Sequence, residues 1–376
     1  MLSQPPAWFM IIAFLGAIGP LIIFHELGHY WVARWLGVGA EAFSIGFGKE
    51  VFGWTDKRGT RWKVAALPLG GYVKFIGDAD ATSAPASSDD LTSDQRRQSF
   101  HLRPPWQRFL IVLAGPMTNF LIAILIFVAF FAAYGVPQTP AVISSVAKGS
   151  AAASAGLKVG DRITEIAGRE TPSFEDLART ISLRPGETVD IHLVRSGAAL
   201  VRPARLGTVM EADRFGQHFR IGQLGVTGGR RQFVEVSLLR LVPEATGYTI
   251  KTTQAMIDGL WQIISGRRSL KDLGGPLRMA QIAGQQASIG LLDFIQLIAF
   301  FSINLGFINL LPIPMLDGGH LVLYSIEAVR RRPASERVVE WAFRGGLAFL
   351  LALLLVATFN DLSFFGLWDG VGRLIG

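Results

Sequence analysis

A chain of 376 residues, half of them hydrophobic and 17% charged, is longer than one ordinary domain and more apolar than a soluble one, so it reads as a membrane protein with a soluble insert. A net charge of +7 raises the question of nucleic acid, but no basic helix with interleaved aromatics occurs, and Lys and Arg gathered in short cytoplasmic loops account for the balance. With no cysteine in the chain, disulfides and a thiolate zinc site are excluded.

Four stretches are apolar enough to span a bilayer, which takes about 20 residues. The first runs from Trp8 to Trp31. It lacks a basic leader and a small-residue cleavage site ahead of it, so it is expected to be retained. Its end carries His25, Glu26 and His29, which a plain anchor would not. A Gly-rich, aromatic stretch follows from Phe43 to Ile76. Alternation in Arg61–Val64 and Tyr72–Phe75 predicts strands, with turns at Asp56–Gly59 and at Gly70-Gly71. The polar segment Ala79–Arg97 reads as a mobile loop. The second span is Phe109–Tyr134. Between Pro140 and Arg205, short β-like runs alternate with one helix at Ser173–Ser182. After Val226 the pattern turns helical, with an amphipathic Leu238–Ile264 ended by Gly274-Gly275-Pro276. The third span is Leu291–Leu311, and the fourth is a shorter run, Leu347–Phe359.

Charge sets the expected topology. Arg34, Lys49, Lys57, Arg58, Arg61, Lys63, Lys74, Arg96, Arg97, Arg103 and Arg108 join spans one and two; Arg330, Arg331, Arg332 and Arg337 join spans three and four. Both loops are expected in the cytoplasm, and the large insert and both termini outside.

His25-Glu26-Leu27-Gly28-His29 fits H-E-x-x-H. On a helix, residues i and i+4 share a face, so both imidazoles can hold one metal, with Glu26 placed as general base toward a metal-bound water. Ionisable groups at membrane depth are costly, which favours function over accident. A catalytic zinc needs three protein ligands and an open position. No third His follows at metzincin spacing, so the missing ligand lies far off in sequence. Asp317 is the best candidate, in Asn309-Leu310-Leu311-Pro312-Ile313-Pro314-Met315-Leu316-Asp317-Gly318-Gly319-His320, because span three should end on the side where span one ends. His320 is a rival ligand. Asn119 and Asn304 suit helix–helix hydrogen bonding, while Asn309 suits either such a structural role or an oxyanion or substrate-backbone one.

These pieces together resemble the site-2 protease family of intramembrane zinc metalloproteases, in its regulator-of-sigma-E protease branch. The matching residues are His25–His29, Leu67–Lys74, Ala114-Gly115-Pro116 through Asn119, and Asn309–His320, in family order over most of the chain. The resemblance implies one Zn2+ per chain held by His25, His29 and Asp317, Glu26 activating water, and a four-span core. It also implies cleavage of single-span membrane proteins, such as a trimmed anti-sigma factor or signal-peptide remnants, in a bacterial inner membrane with no nucleic-acid partner. The segment Pro140–Gly197 resembles a PDZ domain of the bacterial protease type, through Val142–Val146, Ser150–Leu157, Gly160–Ile163, Asp176-Leu177 and Pro185–Glu187. A single copy is present, with Ile143 and Val146 as groove candidates. Strand addition of an unwound substrate points to Gly70, Gly71, Tyr72 and Val73.

The expected fold is an α-helical polytopic membrane protein of about four spans, with a membrane-associated β-hairpin region and an inserted α+β PDZ-like domain. The expected parts are residues 1–136, with the H-E-x-x-H helix, the β-rich loop and span two; 137–232, the PDZ-like periplasmic domain; 233–285, an amphipathic connection; and 286–376, with the Asn309–His320 motif and the last span. Rival readings are a tethered soluble-type protease, a non-proteolytic membrane PDZ scaffold and a metal-ion transporter. The motif follows an apolar span directly, a scaffold leaves Glu26 and Asp317 without a purpose, and no internal repeat suggests a transporter.

Overall fold

The computed structural model describes residues 5–77, 92–212, 218–230, 232–266, 274–333 and 335–365. Asp80 and most of the expected Ala79–Arg97 loop lie outside them. The chain divides into two compact units, Met1–Phe127 with Ala245–Gly376, and Val128–Glu244.

Among the described residues, four helices are long and apolar enough to cross a membrane: Ala7–Trp35, Pro105–Tyr134, Leu291–Asn309 and Arg337–Phe364. They fall where the sequence places spans, but the fourth is twice the expected length. The apolar run Leu347–Phe359 is only the middle of a helix that starts at Glu336, whose first turns carry Arg337, Glu340 and Arg344. Helix α1 (Ala7–Trp35) runs on through Pro20, the residue type that removes an i→i−4 bond in mid-helix.

Strands β1 (Ala40–Thr55) and β2 (Arg61–Phe75) form one folded hairpin. The expected Asp56–Gly59 turn is present: the Asp56 carboxylate accepts from the Arg58 and Thr60 amides at 2.8 and 2.9 Å. Gly70-Gly71, read as a turn, lies instead inside β2. Gly70 has φ +115°, so the strand bends there rather than reversing. The bend gives β1 two partners. Ala42 faces both Lys74 and Arg61, and Ile45 faces both Gly71 and Val64. The first half of β1 therefore lies between the two halves of β2, and Gly71–Phe75 forms the rim of the sheet. Among the described residues no strand pairs with its outer side.

Part of the expected polar loop is ordered as α2 (Ser93–Gln98), started by a capping box between Thr92 and Gln95 that satisfies two backbone donors reciprocally. Helix α3 is Pro105–Tyr134.

Among its described residues the second unit packs fourteen buried apolar side chains, including Ile143, Ile163, Ile166, Leu177, Ile191 and Leu193, into one core. The unit begins with β3 (Val136–Gln138), β4 (Ile143–Val146) and α4 (Ala151–Ser154). A four-stranded sheet follows in the order β6 (Arg169–Glu170), β5 (Arg162–Ile166), β7 (Thr188–Arg195), β8 (Ala198–Arg205). Helix α5 (Phe174–Ser182) covers it with Leu177 and Ile181, one turn apart, and Ser173 caps the helix through the Asp176 amide. Strands β9 (Gly207–Ala212) and β10 (His218–Gln223) form a hairpin.

The stretch after Val226 is not wholly helical. It holds β11 (Val226–Gly228) and β12 (Gln232–Val234), return strands that pair with β4 and β3. Runs of three residues carry too little periodicity to be read alone. Helix α6 then spans Leu238–Ile264, as expected, and α7 begins at Pro276 after the predicted break. Helix α8 (Leu291–Asn309), α9 (Asp317–Arg330) and α10 (Glu336–Phe364) complete the first unit.

Candidate metal centre and hydrolytic site

The i,i+4 spacing brings both imidazoles of α1 to one point. His25 Nε2 and His29 Nε2 are 3.2 Å apart, in rings set edge-on at 88°. Both residues are buried. Asp317, the first residue of α9, completes the group: its Oδ2 lies 3.1 Å from His25 Nε2 and 3.5 Å from His29 Nε2. Donor atoms on a tetrahedral ion with bonds near 2.0–2.1 Å stand roughly 3.3 Å apart, which is the spacing of these three atoms. Asp317 Oδ2 is buried and has no hydrogen-bond partner, although carboxylate oxygens are rarely buried unsatisfied. Two imidazoles and one carboxylate also form a donor set that catalytic zinc accepts. The residues present therefore fit the metal.

Helix α3 supplies the support. Ile111, Gly115 and Asn119 recur at spacings of four, so one face of the helix lies against the histidines. His29 Nδ1 donates to the Ile111 carbonyl at 2.9 Å, which leaves Nε2 unprotonated for a metal. A Cβ on Gly115 would collide with His29 Nε2 and stand 2.9 Å from His25 Cε1. The Asn119 amide is 3.0 Å from His25 Nδ1, and its Oδ1 has no partner. Turning this amide end for end lets Oδ1 accept from His25 Nδ1–H. Ser302 fixes the backbone there, donating to the Asn119 carbonyl at 2.7 Å. By sequence alone Asn119 suits a helix–helix contact. The four-residue recurrence with Gly115 is the signal that could have placed it beside the metal.

Asp317 is held by the turn before it. Leu316 donates to the Ile313 carbonyl, and Gly319 to the Leu316 carbonyl, at 3.1 and 3.0 Å. This turn folds back so tightly over α9 that a Cβ on Gly318 would collide with the carbonyls of Leu310 and Leu311. The two glycines of Asp317-Gly318-Gly319 are thus required by backbone packing, while Asp317 points away into the site.

A cavity of about 430 Å³ opens beside the three donors, and Glu26, Gly70, Gly71, Tyr72, Val73 and Asn309 line it. Gly71 lies close enough to Glu26 that a Cβ there would be 3.3 Å from Glu26 Cγ. His320 also borders this cavity but is not among the converging donors; its ring packs near Phe343 and Tyr324, at 5.0 and 6.1 Å.

The groove candidates of the second unit fare differently. Ile143 is 1% exposed and belongs to the core, so it cannot line an open groove. β-Branched residues in a short strand face core or ligand alike, and only packing separates the two. Val146 is partly buried against that core, and β4 is already paired by β11 along Ile143–Val146.

The model of peptidase family M50 matches residues 13–353. The chain is 42% identical over 359 residues to a protein of Agrobacterium fabrum named "Putative zinc metalloprotease Atu1380", covering 94% of this chain and 95% of that one. It is 37% identical over 392 residues to "Metalloprotease MmpA" of Caulobacter vibrioides, covering 97% and 98%. A solved PDZ domain of an SdrC-like protein from Listeria monocytogenes is 26% identical and covers 25% of this chain and 90% of its own, with a TM-score of 0.20, too low to speak for the fold. Residues 13–353 include the converging histidines, the aspartate and the apolar helices that carry them, and the chain belongs to peptidase family M50 as a multi-pass, zinc-dependent membrane protease of the site-2 type.

Proposed function

We propose that the protein cuts single-span membrane proteins at a zinc held by His25, His29 and Asp317. The observation that carries this reading is the meeting of three metal donors, a carboxylate and a strand rim at one cavity beside apolar helices. When bound, the zinc polarises the scissile carbonyl and makes water more acidic. Glu26, next to a donor but not one of them, accepts the proton from the attacking water and passes it to the leaving amine. Asn309, on the cavity wall, donates its amide hydrogens toward the oxyanion. A membrane helix hides its scissile amide in hydrogen bonds, so the substrate must unwind first. The rim Gly71–Phe75 takes up the unwound segment by strand addition.

The Lys and Arg distribution supports an inner-membrane orientation with the PDZ-like unit and both termini in the periplasm. In that place the unit screens substrates, excluding those with bulky outer domains and admitting trimmed ones such as anti-sigma factors. With Ile143 in the core and β4 paired, screening by bulk fits better than recognition of a peptide end.

The test uses the purified full chain with a panel of single-span substrates. Glu26→Gln is expected to keep about one zinc per chain and to lose cleavage by about 10²-fold or more. The double variant His25→Ala, His29→Ala is expected to lose the metal as well. Near-normal turnover in the first, or undiminished zinc in the second, would overturn the assignment.

A further inference from the structure

Away from the metal centre, the start of α3 and the end of α9 enclose two adjoining cavities. One, of about 400 Å³, is bordered by Arg331, Arg332 and Glu327. The other, of about 330 Å³, is bordered by Phe109, Leu110 and Tyr324. Pro105, Trp106 and Ala328 border both, so a charged chamber continues into an apolar one.

The charge of this place is positive. Among the described residues Glu327 is the one acidic group on the walls, and Arg108 neutralises it at 2.6 Å. Arg108 also lies over the Tyr324 ring at 4.8 Å, which fixes the back wall. Arg331 and Arg332 are exposed, and α9 ends at Arg331 in the left-handed conformation, which turns the chain at the mouth of the chamber.

The surroundings are those of a bilayer edge. Trp106 is 57% exposed one residue into the apolar helix α3, where an indole suits the headgroup level. Val322, Ile326 and Val329 expose an apolar stripe along α9 at helical spacing, just before the arginines. A ligand here meets cations at one end and lipid-like walls at the other.

We infer that this paired cavity binds one anionic phospholipid, its phosphate between Arg331 and Arg332 and an acyl chain along Phe109, Leu110 and Tyr324 past Trp106. A soluble anion would use only the charged chamber, and a zwitterionic lipid would gain little from two guanidinium groups that have no acidic partner among the described residues. Tyr324 borders both this site and the hydrolytic cavity, but none of the proposed catalytic residues is shared, and the inference does not depend on the proposed substrates.

Native mass spectrometry of the full chain, released from membranes containing equal phosphatidylglycerol and phosphatidylcholine, reads the preference directly. The unaltered protein is expected to retain phosphatidylglycerol over phosphatidylcholine by about tenfold, since each basic residue near a membrane surface favours anionic lipid severalfold. Arg331→Gln with Arg332→Gln should bring the ratio to about one, and Trp106→Ala should lower retention of both lipids. Arg331→Lys with Arg332→Lys should keep most of the preference. These side chains are exposed, so zinc content should stay unchanged in all the variants and serves as the check that each is folded. A preference below about twofold in the unaltered protein, an undiminished preference in the Gln pair, or equal competition by inorganic phosphate would overturn the inference.

Discussion

At the scale of single residues, the metal centre depends on what stands behind the donors. If His25 Nε2 binds the metal, its Nδ1–H needs an acceptor, and Asn119 is the group within reach. Asn119→Leu is expected to weaken zinc binding by about 10–100-fold in competition with a chelator. Asn119→Asp, which keeps an acceptor, should bind zinc nearly as well as the parent. Equal affinity in the Leu variant would show that Asn119 does not orient His25. Gly115→Ala places a Cβ among the imidazoles and is expected to remove zinc without unfolding the helices; full zinc occupancy would contradict the packing. His25, Glu26 and His29 were legible from five consecutive residues because a helix fixes the geometry of i and i+4. Gly115 and Asn119 were less so, since a glycine and an amide in an apolar helix serve packing as often as catalysis.

At the scale of elements, β2 carries the argument. The half from Gly71 to Phe75 pairs inward with β1 and turns its outer side toward Glu26, whose carboxylate accepts from the Val73 amide. Val73→Pro removes one backbone donor there and is expected to reduce cleavage while zinc stays bound; unchanged cleavage would count against strand addition. The sequence showed Tyr72–Phe75 as a strand, but Gly70-Gly71 looked like a turn, because glycine pairs mark turns far more often than bends within a strand. A second junction joins α10 to α7. The buried Asp361 carboxylate accepts from the Gly275, Leu277 and Arg278 amides at 2.8, 3.0 and 3.1 Å, and so caps α7 from another helix. Asp361→Ala should cost about 1–2 kcal/mol, the range for a lost N-cap. Faster hydrogen exchange of the first turn of α7 is the measurement, and an unchanged rate would exclude the capping role. No sequence pattern pointed to Asp361, since a cap supplied from 84 residues away leaves no local signature.

At the scale of the whole molecule, the second unit is closed by its own ends. Strand β3 pairs with β12, and β4 with β11. Removing only Thr139–Arg205 would leave β11 without its partner, so the cleaner excision is 140–230 with a short linker, which keeps the β3–β12 ladder. That variant is expected to hold zinc and to cut untrimmed substrates. If it holds zinc and still rejects them, the unit is not the filter. The unit also carries a pH-sensitive tie. Arg195 donates to both Asp161 oxygens at 2.7 Å, and these hydrogen bonds hold the buried carboxyl below the usual range against the upward push of burial. A depressed pKa stabilises the fold fully above the unfolded value of about 4, and the contribution is lost as pH falls below it. Thermal unfolding of the unit should therefore fall between pH 5 and pH 3, and Arg195→Ala should flatten that dependence; equal slopes would exclude the tie. Orientation is checked separately. In intact cells a cysteine replacing Ser196, at the β7–β8 turn, should react with an impermeant reagent, and one replacing Asp80 should not; the reverse pattern would overturn the topology.

The sequence by itself determined the four apolar helices, the histidine pair and the amphipathic α6, because hydrophobic length and helical periodicity are local quantities. It also singled out Asp317, through the side of the membrane on which spans one and three should end. Only the tertiary structure decided that Asp317 Oδ2 comes within 3.5 Å of both imidazoles, and that α3 backs them with Ile111, Gly115 and Asn119. Those contacts join residues 82 to nearly 300 positions apart, where no spacing rule applies. The same holds for Ile143. As a β-branched residue in a short strand it was compatible with core or groove, and packing against Ile163, Leu177 and their neighbours assigned it to the core.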